Sequence, residues 1–305
     1  MIFFLDRDGT INVDYNFVHK KEEWTFCDGA PEAIRLLNEA GYYVVVVTNQ
    51  TGIIRGNFTL AQVEALHRWV DEELAKHGAR IDAWYIAPWR PNMHEDRHPA
   101  LLHDRKPGTG MFERAMIRYD SAKAGASDRS NAVLQSGRKR DDTVQSPSSE
   151  YNSPAPFVQN PVSEHKNTDN IQETTSDRDI PPSNTEKHLS KNRNNTVSVY
   201  ETVRINSQGE FEITQIETSD YTPSSLAERE EIGRQVGAKY ADQFAKCAMA
   251  GDKMSDLDPA IQLGMRPYLI KSVHYGTIDS GWMEANSIPV YDRLLDAVKH
   301  ELSRD

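Results

Sequence analysis

Residues 2–12 read Ile2-Phe3-Phe4-Leu5-Asp6-Arg7-Asp8-Gly9-Thr10-Ile11-Asn12. Four apolar residues in a row are too few to cross a membrane and fit a strand buried on both faces of a parallel sheet. The strand runs out into Asp6 and Asp8, which flank one turn; Gly9 lets that turn fold back sharply, and the Thr10 hydroxyl can bond a neighbouring main-chain group. Two carboxylates at the carboxyl end of such a strand make a hard-oxygen site suited to a divalent cation. The letters Asp-x-Asp-Gly also occur in calcium loops and plain surface turns, so the rest of the chain has to decide.

The chain has 305 residues and a formal net charge of -11, with a sequence pI near 5.4. Its mean hydropathy of -0.67 is low for a fully packed protein of that length, so part of it lies outside any core. A polyanionic partner needs a basic field, and the charge argues against broad nucleic-acid or anionic-membrane binding. An anionic substrate needs only a local basic pocket. Cys27 and Cys247 are the only cysteines, which leaves no disulfide framework and no Cys-x-x-Cys metal site. No segment has signal-peptide or membrane-spanning length, and a reducing cytoplasm is the expected location.

Val13 to Asp28 is polar and aromatic and is expected as a loop over the same sheet edge. Pro31 to Ala40 is a short helix with Ile34, Leu36 and Leu37 on one face and Gly41 closing it. Tyr42 to Val47 is a second buried strand, and it too ends in polar residues: Thr48, Asn49, Gln50, Thr51 and Gly52. A hydroxyl and amides there suit phosphate oxygens, although a helix N-cap uses the same residues. Thr59 to His77 is an amphipathic helix with Thr59 as N-cap and Leu60, Val63, Leu66, Val70 and Leu74 inward. Ile81 to Ile86 makes a third strand. In the loop beyond it, His94, His98 and His103 read as solvated, because their spacing places no two firmly on one face. Lys106, fixed by Pro107-Gly108 and backed by a helix from Thr109 to Tyr119, is better placed to meet an anion.

Residues 121–195 turn to Ser, Asn, Asp, Thr, Pro, Lys and Arg with scarcely an aliphatic side chain, and are expected to be disordered. Arg138-Lys139-Arg140 within them is solvated charge. Residues 196–222 carry the alternation of a β-hairpin, with Val199, Val203 and Ile205 before a turn at Asn206 to Gly209 and Phe211 and Ile213 after it. Leu226 to Phe244 is helical, and Cys247 to Ala250 is a short strand. Gly251-Asp252-Lys253-Met254-Ser255-Asp256 comes next, and its two aspartates complete the kind of carboxylate set that magnesium takes together with phosphate and water. Asp258 to Leu263, Pro267 to Ile270 and Val290 to Leu302 read as helix, strand and closing helix. The expected division is a core in two parts, residues 1–120 and 223–305, around a disordered stretch at 121–195 and a hairpin at 196–222.

Strand ends bearing Asp-x-Asp-Gly-Thr, Thr-Asn-Gln, Arg-Lys-Pro and Gly-Asp-Lys-x-x-Asp, in that order, resemble the haloacid dehalogenase superfamily. The resemblance is to its small-capped branch, which holds the heptose bisphosphate and histidinol-phosphate phosphatases. It covers roughly residues 1–120 and 245–305 and extends to Asp28-Gly29-Ala30 and to Thr51-Gly52-Ile53 with Arg55-Gly56. It implies an α/β fold, a Rossmann-like parallel sheet with helices on both faces and no large cap. It further implies Asp6 as nucleophile and Asp8 as general acid and base. Magnesium would be held by the Asp6 carboxylate, the Asp8 carbonyl and Asp252, with Asp256 orienting a water or Lys253. Thr48 and Lys106 would bind phosphoryl oxygens, and Asn49, Arg55, Arg105 and Lys253 would grip the rest of the substrate.

The implied reaction is magnesium-dependent hydrolysis of a small phosphorylated sugar, foremost a heptose 1,7-bisphosphate losing its 7-phosphate. Histidinol phosphate, another small metabolite or a nucleic-acid 3′-phosphate end are the alternative substrates. An idle scaffold that binds a protein partner through the inserted stretch is the alternative of another class, and four intact catalytic positions argue against it. The family's structural zinc is bound through a Cys-x-His and a Cys-x-Cys pair, which align with Ala87, Trp89, Leu102 and Asp104. None of the ligands is kept, so that zinc is expected to be absent, with Trp89 and Leu102 filling its space.

Overall fold

The computed structural model describes residues 1–88, 102–136, 199–217 and 224–304. The expectations for residues 137–195 and for Trp89, His94 and His98 fall outside them. In chain order the elements are β1 (Ile2–Leu5), α1 (Ala30–Glu39), β2 (Tyr43–Asn49), α2 (Leu60–Lys76), β3 (Ala83–Ala87) and α3 (Gly110–Ser136). Next come β4 (Val199–Ile205), β5 (Phe211–Glu217), α4 (Ser224–Lys239), α5 (Ala241–Phe244), β6 (Ala248–Gly251) and α6 (Met254–Gln262). The chain closes with β7 (Arg266–Ile270), α7 (Ser280–Ala285), β8 (Val290–Tyr291) and α8 (Leu294–Leu302).

Six strands form one parallel sheet in the order β3-β2-β1-β6-β7-β8. All four residues of β1 are fully buried, and the pleat divides them between two cores. Ile2 and Phe4 join Val45, Val47, Met249, Phe112 and Leu257 on the face covered by α3 and α6. Phe3 and Leu5 join Val44, Val46, Ile34, Val70 and Val298 on the face covered by α1, α2 and α8. The strand order reverses at β1, with β2 and β3 to one side and β6 to β8 to the other. The crevice at the carboxyl ends of β1 and β6 is therefore the switch point where ligands bind in sheets of this kind.

β4 and β5 pair antiparallel as the expected hairpin. Val203, Phe211 and Ile213 pack into the α3 face of the core, and Arg118 of α3 is ion-paired with Glu201. The hairpin is thus a buttress on the sheet's flank.

Three element readings need correction. The helix expected to end at Tyr119 runs on to Ser136, into the stretch expected to be disordered, because Ser121 to Ser136 is alanine-rich and free of proline. Val290–Tyr291 is not helical but pairs with Leu269 and Ile270 as an edge strand, and α8 starts only at Leu294. The short helix α7 was not expected; the Asp279 side chain caps it by accepting from the Trp282 N–H at 2.6 Å. No helix among the described residues is long and apolar enough to cross a membrane.

Candidate active site

The Asp6 N–H donates to the Ala250 carbonyl at 2.9 Å, which carries the β1–β6 ladder one residue past the strand and delivers the Asp6 carboxylate to the crevice. The turn beyond it is closed by main-chain bonds: the Arg7 carbonyl accepts from the N–H groups of Thr10, Ile11 and Asn12. The Thr10 hydroxyl, expected to help, has no partner among the described residues. Gly9 has a φ of +89°, and a Cβ there would sit 2.1 Å from Asp252 Oδ2. Glycine is required both by the backbone and by the approach of the second motif.

Asp6 and Asp8 have opposite surroundings. Asp6 Oδ1 accepts from Lys106 Nζ at 2.6 Å, and the same ammonium lies 2.8 Å from Asp256 Oδ1. Asp8 Oδ1 accepts from Arg7 Nη2 at 2.7 Å and Asn12 Nδ2 at 3.0 Å, and its Oδ2 from Gln50 Nε2 at 2.9 Å. Gln50 Nε2 also donates to Thr48 Oγ1 at 2.9 Å, which holds that hydroxyl within the same network. Burial and then the Asp256 charge push Asp6 up to about 7, against the pull of Lys106. Burial alone would raise Asp8 too, but the Arg7 guanidinium and the hydrogen bonds from Arg7, Asn12 and Gln50 outweigh it and hold Asp8 below the usual carboxylate range.

At the end of β6, Asp252 Oδ1 accepts from Lys253 Nζ at 2.8 Å and Oδ2 from Ser272 Oγ at 2.7 Å. Asp256 Oδ2 accepts from the Asp252 and Lys253 N–H groups at 3.2 and 2.9 Å, so Asp256 both opens α6 and steadies Lys106. Carboxylate oxygens of Asp6, Asp252 and Asp256 lie within 4.8 Å of one another, all three residues buried. Burial first, and then Asp256, also raise Asp252. A crowded set of buried carboxylates with a main-chain carbonyl beside it is the donor chemistry of a hard divalent cation. The Lys253 ammonium, 3.5 Å from the Asp8 carbonyl oxygen as well as on Asp252, compensates part of that charge.

One consequence is a pH dependence. Because the folded-state proton on Asp6 is released only near pH 7 instead of near 3.8, the native state without metal holds a proton that the unfolded chain has lost. The Asp6 contribution to stability in chelator should therefore fall as pH rises through that window. Magnesium should raise the melting temperature more at about pH 7.5 than at about pH 5. Melts of the parent and of Asp6→Asn across the window, with chelator and with magnesium, check both signs, and identical profiles of the two in chelator would contradict the repulsion.

Among the other expected site residues, Asn49 has a different place. Its amide is used at both ends on the main chain of Lys106, accepting from the N–H and donating to the carbonyl, each at 3.1 Å. It holds the lysine turn. Arg55 is exposed, with its guanidinium 5.5 Å from the Phe17 ring centroid. Burial, and then the nearby Arg55 charge, lower Arg105, so the two cations share one region.

The zinc-aligned positions also differ from expectation. Leu102 is 39% exposed and fills no core space. Asp104 is buried in an ion pair with Arg114, and His103 is not solvated but set against the Glu113 carboxylate at 2.7 Å.

Arg7, Asn12 and Ser272 carry site contacts that the sequence alone did not suggest. Arg7 stands inside the first motif, fully buried, and Ser272 lies just past a strand end, so position was the available signal.

Residues 1–146 match the family described as polynucleotide kinase 3 phosphatase. A D-glycero-beta-D-manno-heptose-1,7-bisphosphate 7-phosphatase of Escherichia coli O6:H1 is 46% identical over 109 residues, covering 36% of this chain and 57% of that protein. The protein of the same name from Salmonella typhi is 46% identical over 121 residues, 39% of this chain and 64% of that one. The chain thus matches less than two thirds of the length of these relatives. The D,D-heptose 1,7-bisphosphate phosphatase from B. bronchiseptica, solved with magnesium and phosphate, aligns with a TM-score of 0.51 at 19% identity, over 100% of this chain and 99% of that one. The fold is shared with it.

Proposed function

We propose that this chain carries a phosphatase domain of the haloacid dehalogenase type and is a magnesium-dependent phosphomonoesterase acting on a small phosphorylated sugar, foremost the 7-phosphate of a heptose 1,7-bisphosphate, a reading supported by its similarity to proteins of that name. The observation that carries the reading is the convergence at one switch point of Asp6, Asp252 and Asp256 with Lys106, while Asp8 is held apart in a network of its own.

In the first half-reaction an Asp6 oxygen attacks phosphorus, the new Asp6 O–P bond forms as the ester P–O bond breaks, and Asp8 delivers a proton to the leaving oxygen. In the second, Asp8 takes a proton from the water that attacks phosphorus, and the carboxylate of Asp6 leaves, giving orthophosphate. Arg7 holds Asp8 as the base that this second half needs. An arriving phosphate dianion raises its proton affinity for the first half. Lys106 and the Thr48 hydroxyl meet the phosphoryl oxygens. The Asp6 and Asp252 carboxylates and the Asp8 carbonyl are the oxygens that would hold magnesium, which when bound neutralises charge on the transferring group. Lys253, now on two of those oxygens, is then available to the substrate. Arg55 and Arg105, close enough to oppose each other's charge, suit a second anionic group such as the other phosphate of a bisphosphate.

Phosphate release from heptose 1,7-bisphosphate, histidinol phosphate, simple hexose phosphates and a 3′-phosphorylated oligonucleotide, with and without magnesium, tests the reading. Selective, magnesium-dependent turnover of the sugar bisphosphate is expected. Preference for the oligonucleotide would move the substrate class to nucleic-acid ends, and no release from any of them would overturn the assignment.

A further inference from the structure

The turn that presents Lys106 is fastened on two sides. On the sheet side, Asn49 grips the Lys106 main chain. On the other side lies a buried group of charges that the proposed chemistry does not use. Asp104, two residues before Lys106, pairs with Arg114 of α3. Glu113, in the first turn of α3, accepts from His103 at 2.7 Å and from the Thr109 hydroxyl at 2.6 Å. Between the two carboxylates sits one guanidinium from a distant part of the chain. Arg229 Nη2, on α4, lies 3.6 Å from Asp104 Oδ1 and 3.5 Å from Glu113 Oε2. Its Nη1 reaches the Val203 carbonyl of the hairpin at 3.5 Å.

The packing around this group is close. A Cβ on Gly110 would lie 2.0 Å from Asp104 Oδ1, and one on Gly233 would lie 2.6 Å from Glu113 Oε1 and 2.8 Å from the His103 ring. α4 therefore approaches the lysine turn through a glycine, and the turn folds over α3 through another. Glu113 is fully buried, and Asp104 and Arg229 nearly so. Charges so enclosed are stabilising only as a complete set, since removal of one partner leaves another buried and unpaired.

We propose that Arg229 is a positioning residue for Lys106. By bridging Asp104 and Glu113 it ties both ends of the turn 103–113 to the hairpin and α4, so that the segments flanking the inserted stretch set where the lysine ammonium stands. The inference rests on the phosphatase reading for its catalytic part and deepens it, by giving the residues after the insertion a role in the reaction. Lys106 meets the phosphoryl group most strongly when negative charge on it is greatest, so a loosened turn should cost turnover before it costs substrate affinity.

The test uses the full chain with Arg229→Met, Arg229→Lys and Glu113→Gln, and reads both amide hydrogen exchange of peptides within residues 102–113 and the kinetics of phosphate release. Arg229→Met is expected to speed exchange in that turn while peptides from β1 and β2 exchange as in the parent. It should lower kcat roughly ten- to hundredfold with a smaller change in KM. Arg229→Lys, which keeps the charge but reaches one carboxylate at a time, should recover part of both effects. Glu113→Gln keeps the shape and removes one charge, and carries the same expectations should Arg229→Met not fold. Parent-like exchange in the turn, or a parent-like kcat, in a folded variant would overturn the proposal. Failure of the parent to hydrolyse any phosphate ester would count against the phosphatase reading, and the exchange measurement would still decide whether Arg229 holds the turn.

Discussion

Asp6→Asn is expected to abolish phosphate release, by at least about a thousandfold, because a neutral amide oxygen cannot form the acyl-phosphate on which the second half of the reaction acts. The same change should leave the metal-free protein as stable as the parent or more so near pH 7.5. Asp6 is almost wholly buried, and burial with the Asp256 charge already raises it to about 7, so its ionised form is present there at a cost. Asparagine removes the charge and keeps the shape, and Lys106 retains Asp256 at 2.8 Å. Magnesium should then add less to the melting temperature of Asp6→Asn than to that of the parent, since one of its oxygens has become a weaker ligand. Melting curves in chelator and in magnesium, run beside the activity assay, separate the two effects. Near-parental turnover would move the nucleophile elsewhere, and a clear loss of metal-free stability would mean that Asp6 is held more by Lys106 than it is opposed by its neighbours.

Much of this site was legible because it lies at strand ends. A run such as Ile2 to Leu5 fits a buried strand, and the residues just past a buried parallel strand stand at the carboxyl edge of the sheet. That rule put Asp6, Asp8, Thr48 and Asp252 at one edge, and the resemblance of the four motifs together suggested their roles. Asn49 satisfied the same rule, but its bonds to the Lys106 main chain were not legible, since only the fold shows that Lys106 is within its reach. His67 could have been found. It stands next to Leu66 and sits at helical spacing from Val63, Val70 and Leu74, on the stripe that α2 buries. There it stacks on Trp84 with ring centroids 3.9 Å apart and lies 3.4 Å from the Arg7 guanidinium. Arg229 could not have been found, because a pairing with Asp104 and Glu113 across more than a hundred residues has no local pattern. The extension of α3 to Ser136 was missed for a different reason. Averaging over residues 121–195 let the polar majority conceal an alanine-rich start whose own propensity is helical.

Lys106→Met should act on stability in the direction opposite to Asp6→Asn while acting on turnover in the same one. The ammonium is almost wholly buried and is 2.6 Å from Asp6 Oδ1 and 2.8 Å from Asp256 Oδ1. Burial alone would lower its pKa, but those two carboxylates outweigh it and raise it, so the charge is held in place by its partners. Methionine fills the stem and removes the charge, leaving Asp6 and Asp256 facing each other without it, while Asp252 keeps Lys253 at 2.8 Å. Breaking a buried pair in this way costs about 3–5 kcal/mol, and here one side chain serves two partners. Magnesium should return part of that loss, since it neutralises the same oxygens, so the metal-induced rise in melting temperature should be larger in Lys106→Met than in the parent. Turnover should fall roughly a hundred- to a thousandfold even with the metal bound, because a preorganised charge aimed at the phosphoryl oxygens has gone. The double variant Asp6→Asn with Lys106→Met then decides between two accounts of the lysine. If Lys106 stabilises mainly by answering Asp6, Asp6→Asn raises stability in chelator more in the Lys106→Met background than in the parent, and the two changes are far from additive. If it stabilises mainly through Asp256, the effects of the two changes add, and Asp256, already accepting from the Asp252 and Lys253 N–H groups, becomes the residue through which the lysine turn and the last aspartate motif are joined.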